Sequence, residues 1–133
     1  MGLRVNGICF DCERPAPLAR FWAAALGYRV REYTAADIDA LRAAGIDNVE
    51  DDPTVAVDAP DGEPSLWFAK VPEGKVVKNR VHLDLMPCTD MDEEVRRLLG
   101  LGASMQKRFE ERGSRWTVMQ DLEGNEFCVQ APR

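Results

Sequence analysis

The second half of this chain repeats the first, and that repeat restricts the possible folds more than composition does. Leu26-Gly27 recurs as Leu101-Gly102, 75 residues on (101 − 26). At the same spacing residues 7–11 fall on residues 82–86 without a gap. Further along the spacing drops to 62 (123 − 61), where Asp61-Gly62 matches Glu123-Gly124. A helical insert over residues 34–52, present only in the first half, accounts for the difference. Two copies of a unit this long point to an internally duplicated domain and not to a solenoid.

Each copy reads strand, helix, strand, strand, strand. In the first, residues 5–12 alternate and are rich in β-formers. Pro15 and Pro17 suit the first turn of a helix. Leu18, Phe21, Trp22, Ala25 and Leu26 recur at helical spacing, and Gly27 is the C-cap, since glycine takes the left-handed conformation without strain. Strands are expected over 28–33, 54–58 and 65–71, the last two joined by the turn Pro60-Asp61-Gly62. Within the insert, 35–44 reads as a short helix stopped by Gly45, and the acidic stretch 47–52 as exposed. In the second copy a strand over 80–86 leads to a helix opened by Asp90, with Glu93 and Glu94 in its first turn. Its apolar stripe is Val95, Leu98, Leu99 and Leu101, and Gly102 caps it. Strands over 103–109, 115–120 and 125–130 complete the copy, with a turn at Glu123-Gly124-Asn125. The domain organisation expected is module one over 1–72, a linker over 73–79 and module two over 80–133.

Composition excludes several classes. With 133 residues the chain is one domain's worth. It is 45% hydrophobic and 30% charged, the balance of a globular protein and not of a disordered one. No apolar run is long enough to span a bilayer. The N-terminus shows no signal-peptide pattern, so the expected compartment is the cytoplasm. The net charge of −6, from 23 acids against 17 bases, argues against a nucleic-acid surface. The basic stretch 75–80 reads as a solvated loop.

The four cysteines, Cys9, Cys12, Cys88 and Cys128, are expected to be reduced in that compartment. Cys9 and Cys12 form a C-x-x-C, but no second pair exists to complete a structural zinc site. The motif reads as two small buried residues at the end of a strand, with a redox pair as the lesser reading.

Three motifs in order carry a resemblance. They are Phe21-Trp22-Ala23-Ala24-Ala25-Leu26-Gly27, Lys78-Asn79-Arg80-Val81-His82-Leu83-Asp84-Leu85, and Asp121 with Gly124-Asn125-Glu126-Phe127-Cys128. With them the chain resembles the vicinal oxygen chelate superfamily of glyoxalases, bleomycin-resistance proteins and extradiol dioxygenases, and most of all its small glyoxalase-like branch. The resemblance implies an α+β fold in which two βαβββ modules form a U-shaped mixed sheet with a concave ligand cup. It implies a homodimer and a small-molecule ligand. In metal-dependent members the metal ligands, usually His and Glu, stand on the first and last strands of each module.

Strand period decides which side chains share the cup face. On the first strand Ile8 and Phe10 pack under the helix, leaving Gly7, Cys9 and Asp11 to the cup. On the strand 80–86, Val81, Leu83 and Leu85 pack, leaving Arg80, His82, Asp84 and Met86. On the last strand Phe127 and Val129 pack, leaving Glu126, Cys128 and Gln130. Trp67 and Ala69 are placed inward on the fourth strand. Trp67, Met86, Trp116 and Met119 are candidate apolar walls. The resemblance puts a metal ligand at His82, but its counterpart is Gly7, and the last-strand position falls on Cys128. The chain has one histidine, so no two-histidine site is possible. The expectation is therefore no cofactor, with a divalent metal at His82 and Cys128, or His82 and Glu126, as the lesser possibility. Asp84 or Asp11 could add an oxygen.

Two readings follow. One is a small-molecule-binding protein of the glyoxalase/bleomycin-resistance type, lacking the standard metal site, with Cys9, Asp11, Trp67, Asp84, Met86, Trp116 and Cys128 in the pocket. The other is a lyase, isomerase or dioxygenase acting through His82 with Glu126 or Cys128, with His82 and Glu126 as the catalytic pair. An imidazole titrates near neutral pH, and a carboxylate beside it favours its charged form. Nucleic acid and membrane are not expected partners.

Overall fold

The computed structural model describes residues 1–132, and the chain divides into two compact units, Met1–Gly74 and Lys75–Arg133. The division falls inside the stretch read as a linker.

In the first unit β1 (Gly7–Cys12) leads into α1 (Pro15–Leu26). Pro15 stands at the helix start, where its missing N–H costs nothing. Gly27 ends the helix at φ 70°, and its N–H returns to the Ala23 carbonyl. Then come β2 (Arg29–Val30), α2 (Ala35–Ala43), β3 (Thr54–Asp58) and β4 (Ser65–Lys70). The sheet order is β1-β4-β3-β2, with β1 parallel to β4 and the other pairs antiparallel. One face carries α1. There Leu18, Trp22, Leu66 and Phe68 are fully buried, and the Phe10 ring lies 5.3 Å from Trp22 and 5.1 Å from Phe68. Burying such side chains is the main stabilising contribution, at about 1.5–3 kcal/mol each.

The second unit repeats this plan: β5 (Asp84–Leu85), α3 (Met91–Gly100), β6 (Ser104–Glu111), β7 (Ser114–Gln120) and β8 (Glu126–Gln130), in the order β5-β8-β7-β6 with β5 parallel to β8. The Asp90 side chain caps α3 by accepting the Glu93 N–H. Met91, Val95 and Leu98 are its buried stripe. Thr117, Met119, Phe127 and Val129, all at most 2% exposed, form the apolar sheet face. Two βαβββ modules thus make an α+β fold, with α2 as the insert of the first. No helix among the described residues is long and apolar enough to cross a membrane.

Four expectations are corrected. The strand read over 80–86 pairs only at Asp84–Leu85, so Val81 is 81% exposed and does not pack. The ladder stops there because 75–83 is irregular, held to β8 by the Leu83 carbonyl, which accepts the Cys128 N–H. The strand read over 28–33 shortens to Arg29–Val30, with one further backbone bond from Arg31 N–H to the Ala56 carbonyl. Asp52, read as exposed, is buried because its carboxylate accepts the Thr54 N–H and the Tyr33 hydroxyl. Met119, read as a pocket wall, belongs to the apolar core of its unit.

Candidate functional site

The register of the second unit assembles a polar cluster. Asp84 on β5 stands directly opposite Cys128 on β8, and the preceding chain brings His82 to the same place. His82 Nε2 lies 3.2 Å from Asp84 Oδ1. One donor atom from each of His82, Asp84 and Cys128 lies within 4.8 Å of the others, and among the described residues this is the cluster with metal-ligand chemistry. His82 and Asp84 are exposed, whereas Cys128 is buried. Burial pushes the Cys128 thiol up from its usual range. The Asp84 charge and the thiol's hydrogen bond to that carboxylate add to the shift, against a smaller lowering by Lys78. Cys128 is therefore held as a thiol and not as an activated thiolate nucleophile.

Glu126 does not serve His82 in the way the sequence suggests. Its side chain is 6% exposed and accepts from Lys75 Nζ at 2.9 Å and from the Asn79 N–H at 3.2 Å. Burial alone would raise its carboxyl, but these donors outweigh it and hold the group below its usual range. The carboxylate facing His82 is Asp84. Glu126 instead ties the irregular segment 75–79 to β8.

The first unit places different groups at the equivalent positions. Cys9 pairs with Trp67 across β1 and β4 as Asp84 pairs with Cys128, and Gly7 pairs with Ser65. A Cβ on Gly7 would lie 3.3 Å from Trp67 Cδ1 and Nε1 and 3.2 Å from the Ser65 carbonyl oxygen. Gly7 thus leaves room for the indole that leans over it. Where the second unit has an imidazole and a thiol, the first has a ring in the space of a missing side chain. The metal positions implied by the resemblance therefore carry no donor in this unit, whereas the donors of the second unit suit a borderline-soft ion.

Trp67 also lines a recess of about 310 Å³, the lower end of the small-molecule range. Its walls are the stretch after β2, with Arg31 and Tyr33, and the insert helix α2, with Asp37 and Leu41. The Arg31 guanidinium lies 5.0 Å over the Trp67 ring and pairs with Asp58 at 2.7 Å. Tyr33 donates to Asp52 at 2.6 Å at the edge of the recess. Thr34 and Asp37 close a capping box that fixes the start of α2. Asp37, Asp52 and Glu32 give the lining three acids against the one Arg31, whose charge Asp58 already meets.

The remaining predicted pocket residues scatter. Cys9 and Asp11 are exposed on the β1 face opposite α1. Met86 and Trp116 line a second recess, of about 220 Å³, with Arg115 and Gln130. Cys9 and Cys12 are both free, Cys9 exposed and Cys12 buried. Three strand steps put them about 10 Å apart on opposite faces, too far for a disulfide, so they form no redox pair.

The sequence matches the family model of the glyoxalase-like domain over residues 7–130. No curated protein matches it. Solved structures do, at low identity. A glyoxalase/bleomycin resistance protein/dioxygenase family enzyme from Burkholderia phytofirmans is 15% identical, with a TM-score of 0.69 over 96% of this chain and 98% of that one. The fosfomycin resistance protein FosX from Listeria monocytogenes is 10% identical, with a TM-score of 0.70 over 100% and 94%. A possible glyoxalase from Bacillus cereus is 12% identical, with a TM-score of 0.63 over 98% and 100%. At these identities the likeness is one of fold.

Proposed function

The chain belongs to the glyoxalase-like domain family, and within it we propose a small-molecule-binding protein of the glyoxalase/bleomycin-resistance type. The observation that carries this reading is the recess of the first unit. It joins an indole face and a phenol to a lining in which three carboxylates outnumber one guanidinium. Such a wall favours an organic cation with an apolar or aromatic body. Trp67, whose π-face the Arg31 guanidinium already covers, supplies apolar wall, and Asp37 an exposed carboxylate at the mouth. The reading calls for no metal in that unit, where Gly7 and Trp67 offer no donor. A homodimer, implied by the resemblance, accompanies it as a separate expectation for analytical ultracentrifugation.

The test is calorimetric titration of the whole chain with benzylamine and, separately, benzoate. A ligand of this size is expected to bind with a Kd of about 1 mM. Benzylamine should bind at least tenfold more tightly than benzoate, and Trp67→Ala and Asp37→Asn should each weaken it. Equal binding of the two probes, or amine binding indifferent to Trp67, overturns the reading.

A second reading, a lyase, isomerase or dioxygenase acting through His82, is favoured by one observation, the 3.2 Å approach of His82 to Asp84. In it the imidazole moves a proton on a bound substrate, with Asp84 as its carboxylate partner in place of Glu126. Replacing His82 with Ala should then abolish turnover while leaving benzylamine binding intact. Turnover that survives the change ends this reading.

A further inference from the structure

We propose that the second unit binds one zinc-class divalent cation through His82 Nε2, the Asp84 carboxylate and Cys128 Sγ. The proposal stands apart from the recess of the first unit and does not depend on it.

The geometry supplies the first argument. Asp84 and Cys128 are register partners on adjacent strands, so their side chains leave the sheet side by side. His82 precedes Asp84 by two residues and already contacts its carboxylate. The three donor atoms lie within 4.8 Å of one another. Tetrahedral bonds of about 2.0–2.3 Å place ligand atoms roughly 3.3–3.8 Å apart. Closing onto an ion thus requires movements of about 1 Å. The side chains of His82 and Asp84, 39% and 49% exposed, are free to make them, while β8 holds Cys128.

The donor chemistry supplies the second argument. One imidazole, one carboxylate and one thiol form a mixed N/O/S set. Magnesium and calcium take oxygen ligands and would leave the thiol unused, whereas zinc accepts all three types. This set differs from the His and Glu pattern of the resemblance, because it is thiol-bearing and draws all three donors from one module. Three protein ligands leave a fourth position for water or a small ligand on the exposed side of His82 and Asp84.

Binding is balanced as an exchange of one proton for one ion. The Cys128 S–H, hydrogen-bonded to Asp84 in the metal-free form, releases its proton to solvent, and the sulfur lone pair becomes the metal bond. No oxidant or reductant takes part. The cation replaces the proton as the positive partner that Asp84 and the sulfur share. Lys78, exposed and screened, is the cation whose charge acts on the same thiol.

The experiment uses the whole chain, stripped with chelator, and cobalt(II) as the probe. Titration should produce a thiolate-to-cobalt charge-transfer band in the near ultraviolet and intense visible bands of tetrahedral cobalt. Both should saturate at one ion per chain, with about one proton released per ion. Zinc(II) should erase them, and calcium(II) in excess should not. Cys128→Ser should remove the charge-transfer band. His82→Ala and Asp84→Asn, at exposed positions where folding is not at issue, should each weaken affinity at least tenfold. A Cys9→Ser/Cys88→Ser variant, lacking both exposed thiols, should keep the full spectrum. Absence of the band, its survival in Cys128→Ser, its loss in the Cys9/Cys88 variant, or indifference to both His82→Ala and Asp84→Asn overturns the proposal.

Discussion

If Glu126 is a structural anchor and not the partner of His82, its bond to Lys75 must carry measurable stability. The perturbation is a double-mutant cycle of Lys75→Met and Glu126→Gln. An exposed ion pair contributes at most about 1 kcal/mol, whereas removing one partner of a buried pair costs about 3–5 kcal/mol. Here the side chains are 23% and 6% exposed, with Nζ to Oε1 at 2.9 Å, between those limits and nearer the buried one. Lys75→Met leaves the carboxylate with the Asn79 N–H and should cost about 3 kcal/mol. Glu126→Gln keeps the volume but loses the charge-assisted bond and should cost about 2 kcal/mol. The coupling energy between them should be about 2 kcal/mol. Equilibrium urea unfolding at neutral pH, followed by circular dichroism with unchanged m-values, reads all four corners. The coupling also has a definite pH course. The folded Glu126 carboxyl lies below its usual range, so its contribution is fully present above the unfolded value of about 4.3 and is lost as pH falls through the lower folded value. A coupling under about 0.5 kcal/mol at neutral pH would mean that Lys75 does not anchor Glu126 and that its carboxylate is available to His82.

Three further outcomes are expected. The chain has two tyrosines, and both are shifted upward. Tyr28 reaches about 12 through burial and its bond to Glu63, and Tyr33 lies higher through burial and its bond to Asp52. Ultraviolet titration at pH 11 should therefore show little tyrosinate in the folded chain and nearly full ionisation after denaturation. Because the folded values are raised, this stability is present below pH 10 and declines above it; folded tyrosines titrating near 10 would contradict it. Gly7→Ala places a Cβ against the Ser65 carbonyl, which the β1–β4 ladder holds in place, and against the edge of Trp67. Overpacking of about 1–3 kcal/mol should outweigh the roughly 0.4–1 kcal/mol gained from stiffening the unfolded chain, and thermal melting that shows net stabilisation would contradict this. Thiol titration should count two fast cysteines, Cys9 and Cys88, in the native chain and four after unfolding. A count of two after unfolding would mean that the C-x-x-C is oxidised.

Legibility in the sequence followed the physics of each signal. The Gly27 cap and the strand at 54–58 rest on local chemistry, a positive φ and a short β-branched apolar run, and they appear where expected. Alternation through Arg80 and Val81 predicts a longer strand than the Asp84–Leu85 pair that forms, because no partner residues of β8 stand opposite them. Strand phase places Glu126 on the last strand, as observed, but puts His82 on a strand that starts only at Asp84, and it says nothing about Lys75. That residue reaches Glu126 from an irregular segment with no periodicity to read. Alternation places Asp84 on the pocket face, but its pairing with both His82 and Cys128 depends on the strand register. The recess escaped because α2 buries no residue and so carries only a weak apolar stripe. A signal was present all the same. The insert exists in one module only, and it follows directly on Arg31 and Tyr33, so its helix was bound to wall that sheet edge.

Whether the first unit holds the ligand is read by a residue-resolved amide and indole N–H spectrum of the whole chain during benzylamine addition. Saturable shifts are expected at Arg31–Tyr33, at Asp37 and Leu41 on α2, at Thr54 and Ala56 on β3, and at the Trp67 indole N–H. Saturable shifts confined to Met86, Trp116 and Gln130 in the other recess, or no saturable shift at all, would contradict it.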